Sequence, residues 1–175
     1  MARNRATRFP AETLWRRANM SRLLFSAAWH FDSRILAFIN ANGFPELRMV
    51  HLHVPRNLDL HGTRATDLAM RAEMSKQAMA EIIDECEQME LVRRVPDPSD
   101  RRAKLIAFTA TGLRLMKVVR AALAAAERDM AHHIGRKRMQ ELAAALDGYL
   151  DQERVAAETP ASPCVQTALR LSRSR

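Results

Sequence analysis

The stretch "MSKQAMAEIIDECEQMELVRRVPDPSDRRAKLIAFTATG", residues 74–112, changes its hydrophobic period in mid-course, and that change decides the architecture. Ala78, Met79, Ile82, Cys86 and Met89 recur at three- and four-residue steps, the stripe of an amphipathic helix. Gln77, Ala80, Asp84 and Gln88 fall on the opposite face. Ser75 precedes the run with a hydroxyl that can accept from the orphan amides of a first helical turn. Past Met89 the period shortens. "LVRRV" and "AKLIAF" are short runs that alternate or are rich in β-branched residues, joined by "PDPSDRR". The expected unit is a helix followed by a two-stranded hairpin with a proline-punctuated, basic tip.

Working outward, "HGTRATDLAMRA" reads as a shorter helix that Thr63 or Thr66 can cap, and "EMS" is the turn into the longer one. Helix, turn, helix and hairpin make a winged helix-turn-helix. Further upstream, Leu14, Ala18, Leu24, Ala28, Phe31, Ile35 and Phe38 keep a helical period, so one helix is expected over residues 11–41. A helix of that length outgrows the core of a small monomer and asks for a partner. Asn42 and Gly43 can end it, Pro45 suits the first turn of a second helix, and Pro55 is expected to break that one near His53. Downstream, Thr109 or Thr111 opens an Ala-rich helix to about His133, and "GRKRMQELAAALDGYLDQ" forms a last one. The fold class is therefore mainly α with a small β-hairpin wing. The division reads 1–10 as a flexible basic arm, 11–55 as N-terminal helices, 56–108 as the winged helix-turn-helix region, 109–151 as C-terminal helices, and 152–175 as a flexible tail.

Composition agrees. The 175 residues carry a net charge of +8 and are 47% hydrophobic, with few aromatics. Ala, Leu and Met favour helices, and the basic excess favours nucleic acid or a membrane surface. Two cysteines, Cys86 and Cys164, make neither a disulfide framework nor a zinc-finger spacing, and fit a reducing cytoplasm. No signal peptide and no apolar run of transmembrane length are read, so no membrane partner is expected. No nucleophile–base pair, carboxylate pair or Gly-rich phosphate loop points to an enzyme, and only five glycines occur. No cofactor and no metal site are expected: "HLH" at 51–53, "HH" at 132–133 and His61 are not a closed ligand set.

The helix-turn-helix gives this charge a partner, double-stranded DNA. The start of the second helix can reach base edges in the major groove, and there stand Ser75, Lys76 and Gln77. Gln77 can read adenine bidentately, and Lys76 can reach a guanine or a phosphate. Thr63 and Arg64, at the start of the first helix of the pair, join the DNA-facing set. In the hairpin, Asp100 can cap the tip or hold an arginine, which leaves Arg101 or Arg102 to enter a minor groove. Lys104, Arg93 and Arg94 are expected near phosphates. Glu81, Asp84, Glu85 and Glu87 look wrong for a DNA face and are assigned to the stretch where the helix has left the groove.

These residues resemble the multiple antibiotic resistance regulator (MarR) family. Its wing signature, an Asp, any residue, an Arg, then a strand ending in Leu-Thr, is present as "DRRAKLIAFT" from Asp100 and Arg102 to Thr109, with Phe108 for the Leu. "TG" at Thr111 and Gly112 also fits. The resemblance is detailed over residues 63–112 and follows element order over 15–150. It implies a homodimer, with the first and last two helices interleaved, so that 11–55 serve dimerisation and a ligand pocket, 56–108 DNA binding, and 109–151 dimerisation; Leu113, Val119, Leu123, Met139, Leu142, Leu146, Tyr149 and Leu150 are the interface candidates. It further implies a transcriptional regulator, a repressor on a pseudo-palindromic operator, released by a small organic effector such as an aromatic acid. Trp15, His30, Phe31, Arg34 and His51 are the residues suited to such an acid, although rings and histidines on these helices serve equally as core or polar surface. The alternative is an architectural DNA binder without a ligand switch. Oxidant sensing is not expected, since Cys86 falls on the inward stripe and Cys164 in the tail.

Overall fold

Asn19 starts the first long helix. In the computed structural model, which describes residue 15 and residues 19–158, its backbone is extended (φ −134°, ψ 162°) and its side chain accepts from the Arg22 amide at 2.9 Å. Helix α1 therefore runs Met20–Ala41. A continuous helix from residue 11 is corrected: the Asn19 cap wins over the apolar period, because an Asx side chain offers the first amides an acceptor that a helical continuation would forfeit. The rest of the expected early turns, and the basic arm, lie outside the described residues. Asn42 ends α1 and Gly43 takes a left-handed φ of +100°.

The expected helix from Pro45 does not form as one piece. Residues 44–48 are turn and extended chain, followed by a 3-10 turn at Met49–Leu52 that leads into α2, His53–Asn57. Pro55 sits inside α2 rather than ending it. It occupies the first turn, where its missing N–H would have had no intrahelical partner.

Strand β1, Thr63–Arg64, went unseen in the sequence. It pairs antiparallel with β3 (Thr63 opposite Ile106, Arg64 opposite Leu105), and β3 pairs with β2, giving the order β1-β3-β2. Thr63 is thus no helix cap. Its hydroxyl accepts from the Asp59 amide and donates to the Asp59 carboxylate, while α3 (Ala65–Arg71) begins without a side-chain cap. The second helix, α4, spans Lys76–Gln88 and is capped by Ser75, whose Oγ accepts from Ala78 N at 3.1 Å. Strand β2 is Val92–Asp97 and β3 is Asp100–Phe108, so the pairing climbs nearly to the tip of what reads as loop. The register slips between Pro96 and Asp97, where a proline cannot donate to the ladder.

One core gathers these elements in the unit that ends at Ala126. Ile35 and Ile39 come from α1, Leu68 and Ala69 from α3, and Met79, Ile82, Ile83 and Cys86 from α4. Leu91, Val92 and Ile106 come from the sheet, and Leu115, Ala122 and Ala126 from α5. Burying one of the Ile, Leu, Val or Met side chains in this set stabilises by about 1.5–3 kcal/mol. Helix α5, Ala110–Ile134, opens with Thr109 Oγ1 accepting from Gly112 N at 3.1 Å. The second unit, from Glu127, holds the end of α5 and helix α6, Arg136–Glu158. Residues 152–158, expected in the tail, continue α6; residues 159–175 lie outside the described residues.

Candidate nucleic-acid interface

The helix-turn-helix puts Ser75, Lys76 and Gln77 at the exposed start of α4. The turn between α3 and α4 is closed by Met74 N donating to Ala69 O at 2.9 Å, with Glu73 in the left-handed region at φ 53°. The Ser75 hydroxyl is engaged as the cap acceptor and keeps its own proton to donate. Lys76 forms no ion pair among the described residues. The Gln77 amide donates to Glu81 Oε1 at 3.3 Å, one turn along the helix.

The wing is built around a residue the sequence reading did not single out. Asp97 is 5% exposed. Its Oδ1 accepts from the Ser99 amide (2.8 Å) and hydroxyl (2.6 Å), and its Oδ2 from Arg64 Nε (2.9 Å) and Nη2 (2.6 Å). The Ser99 hydroxyl, then the Ser99 amide and the Arg64 guanidinium, hold the Asp97 carboxyl down at about 2. The signal was available: Asp followed two residues later by Ser, across a proline, is an Asx-turn pattern. Arg64 thus fastens β1 to the wing tip, and its Nη2 also stands 3.8 Å from Asp100. Asp100 accepts from the Arg102 amide at 3.0 Å, so it caps the tip of β3. Arg102 and Lys104 lie exposed on one face of β3, the face that buries Ile106 at its base. The Arg101 side chain lies outside the described residues.

Three of the four acidic residues of α4, Asp84, Glu85 and Glu87, are accounted for by pairing rather than by distance along the helix. Arg94, expected near phosphates, bridges Asp84 (2.5 Å) and Glu87, so its charge is already engaged within the protein. Glu85 accepts from both Arg48 and His51, which hold its carboxyl below the usual range, the His51 bond foremost. Arg93 remains exposed.

The residues picked for an organic acid do not share one environment. Trp15 is 69% exposed, His30 and Arg34 are exposed, and Phe31 packs at the edge of the core. His51 is buried: its Nδ1 accepts from the Arg48 amide at 3.0 Å and its Nε2 meets Glu85 at 2.5 Å. Cys86 is buried as the inward stripe requires, and desolvation pushes its thiol up to about 12, far from a reactive thiolate.

Residues 52–104 match the model of the MarR family. This segment belongs to the MarR family. All nine residues read as DNA-facing, from Thr63 to Lys104, fall within the MarR span, and the five read as effector-facing fall before it. Solved MarR-type regulators share the fold. CouR from Rhodococcus jostii RHA1, bound to p-coumaroyl-CoA, superposes with a TM-score of 0.61 at 24% identity over 76% of this chain and 92% of that one. The repressor CouR on a 23-mer DNA duplex gives 0.61 at 19% identity, over 82% and 99%. A mutant MarR from E. coli gives 0.64 at 14% identity, over 76% and 97%. No curated protein matches the sequence.

Proposed function

We propose that this chain is a homodimeric, sequence-specific DNA-binding transcriptional regulator, a repressor that a small organic acid releases from its operator. The observation that carries the reading is the pairing of two exposed features of the MarR segment. One is the Ser75-capped helix start with Lys76 and Gln77; the other is a wing stiffened by Asp97 and Arg64, with Arg102 and Lys104 left outward. In this reading α4 enters the major groove, Gln77 contacts a base, and Arg102 enters the flanking minor groove. Arg64 acts through Asp97 on the wing rather than as a free phosphate ligand, and Thr63 acts through the Asp59 loop. Residues 56–108 form the DNA-reading part.

Dimerisation is supported by apolar side chains left exposed among the described residues. On α1, Met20, Leu23, Phe25 and Trp29 are exposed, and on α6, Leu142, Leu146, Tyr149 and Leu150 are. A two-fold dimer would read half-sites about one helical turn apart. The effector reading is supported by the CouR structure with its acyl-CoA ligand, and by the aromatic and cationic side chains along α1. The test is a footprint on the DNA flanking the gene. A sharp, salt-dependent, two-lobed protection that an aromatic acid or its thioester removes is expected; broad coating that no such acid affects would overturn it.

A further inference from the structure

Four acidic residues stand on α4, and three of them meet a cation: Asp84 and Glu87 share Arg94, and Glu85 pairs with Arg48 while His51 Nε2 donates to it. Glu81 is the exception. It is exposed, and among the described residues it forms no ion pair. Its carboxylate accepts from the Gln77 amide at 3.3 Å. It stands four residues after Gln77, on the same helix face and in the second turn of α4. Ala80 beside it is too small to hold a facing backbone away. An unneutralised carboxylate on a face turned to a polyanion opposes binding everywhere except where it meets a hydrogen-bond donor.

The major groove offers such donors at the exocyclic amines, and a carboxylate suits the cytosine N4 amine, because cytosine's own edge carries no acceptor there whereas adenine sets N7 beside its N6 amine. We infer that Glu81 is a specificity-determining residue that accepts from the N4 amine of a cytosine one or two base pairs from the base read by Gln77. The inference rests on the proposed reading of α4 as the groove-entering helix. The spacing fits: four residues of helix rise about 6 Å, against about 3.4 Å per base step. The Gln77–Glu81 bond uses one amide proton and leaves Gln77 its other proton and its carbonyl, the pair that adenine requires. The carboxylate also penalises guanine and thymine, whose O6, N7 and O4 atoms are acceptors.

The experiment is selection from a randomised duplex library with the full chain, followed by fluorescence anisotropy on duplexes carrying each base pair at each half-site position. Glu81→Ala, Glu81→Gln and Gln77→Ala are compared with the wild type, with thermal melts to show that all are folded. The wild type is expected to favour cytosine at one position per half-site by about 5- to 150-fold. Glu81→Ala loses that preference, tightens on mismatched duplexes and keeps the preference that Gln77→Ala removes. Glu81→Gln moves the preference toward adenine. A Glu81→Ala variant with an unchanged motif overturns the inference while leaving the regulator reading in place. A change confined to the Gln77 position also overturns it, since Glu81 would then only orient Gln77. A wild type with no base preference at all overturns the regulator reading and this inference together.

Discussion

Asp97 shows how one buried carboxylate can govern a surface that it does not itself present. It collects Ser99 and Arg64, and so ties the tip of the wing to β1. Its folded-state value of about 2 lies below the ordinary carboxylate value near 4, so the unfolded chain takes up the proton first. The stabilisation is present above pH 4 and is lost as the pH falls toward 2. Thermal melts between pH 5 and 2.5 should show this fall, and Asp97→Asn should flatten it while lowering the melting temperature at neutral pH. The same variant should weaken duplex binding with no cation removed from the interface, which a proteolytic nick appearing at the wing would accompany. Arg102→Ala, by contrast, removes one phosphate-range charge. It should weaken binding and reduce the slope of log affinity against log salt by about 1, read by anisotropy across a salt series. Gln77→Ala should relax base preference at one position per half-site by about 1–3 kcal/mol, checked on single-substitution duplexes.

Among the elements, the junction of wing and α5 leaves least room. A Cβ on Gly112 would stand 2.0 Å from the Leu91 carbonyl oxygen and 2.9 Å from Phe108 Cδ1. The Leu91 carbonyl is held by Thr109 N at 3.1 Å and Thr109 Oγ1 at 3.3 Å, so it cannot swing aside. Gly112→Ala should cost about 3 kcal/mol, at the upper end of overpacking, and lower the urea midpoint at unchanged slope. The C-terminus of α4 offers the opposite case. Leu91 N closes on Cys86 O at 2.9 Å with Glu90 at φ 56°, a left-handed residue with open solvent around it. Such a conformation costs a non-glycine about 1–2 kcal/mol, and glycine returns about 0.5–1 of that as unfolded-chain entropy. Glu90→Gly should therefore stabilise by about 0.5–1 kcal/mol in the same denaturation assay. The α4 stripe itself was legible, since Met79, Ile82 and Cys86 are all buried, although Ile83 joined them unannounced. A stripe wider than the single seam of apolar residues is what a helix with neighbours on two sides requires.

At the scale of the whole molecule, large apolar side chains stand exposed among the described residues of both end helices, with Phe25 of α1 at 71% and Tyr149 of α6 at 58%. Burying two such faces in a two-fold contact is the proposed remedy. Leu146→Asp combined with Tyr149→Asp should shift sedimentation from dimer to monomer. It should also reduce affinity for a two-half-site operator far more than for a single half-site, because the second contact then ceases to be intramolecular. The two readouts are independent of the wing, so they separate assembly from base reading.

The local order of the chain determined the winged helix-turn-helix: period 3.6 giving way to period 2, Ser75 before the helix, and prolines in the turn are all signals carried within a few residues. The family resemblance read over residues 63–112 points the same way, and the family match at 52–104 bears it out as far as Lys104. What tertiary structure alone decided were the long-range pairings. Thr63 and Arg64 became a third strand because Leu105 and Ile106 offered an unpaired edge some forty residues on. Arg64 and Arg94, indistinguishable in sequence from free cations, were claimed by Asp97 and by Asp84 with Glu87. His51 was buried against Glu85 rather than left open. A charge in a sequence has no address; its partner is whichever opposite charge the folded backbone brings within hydrogen-bond reach, and that distance exists only after the core has closed.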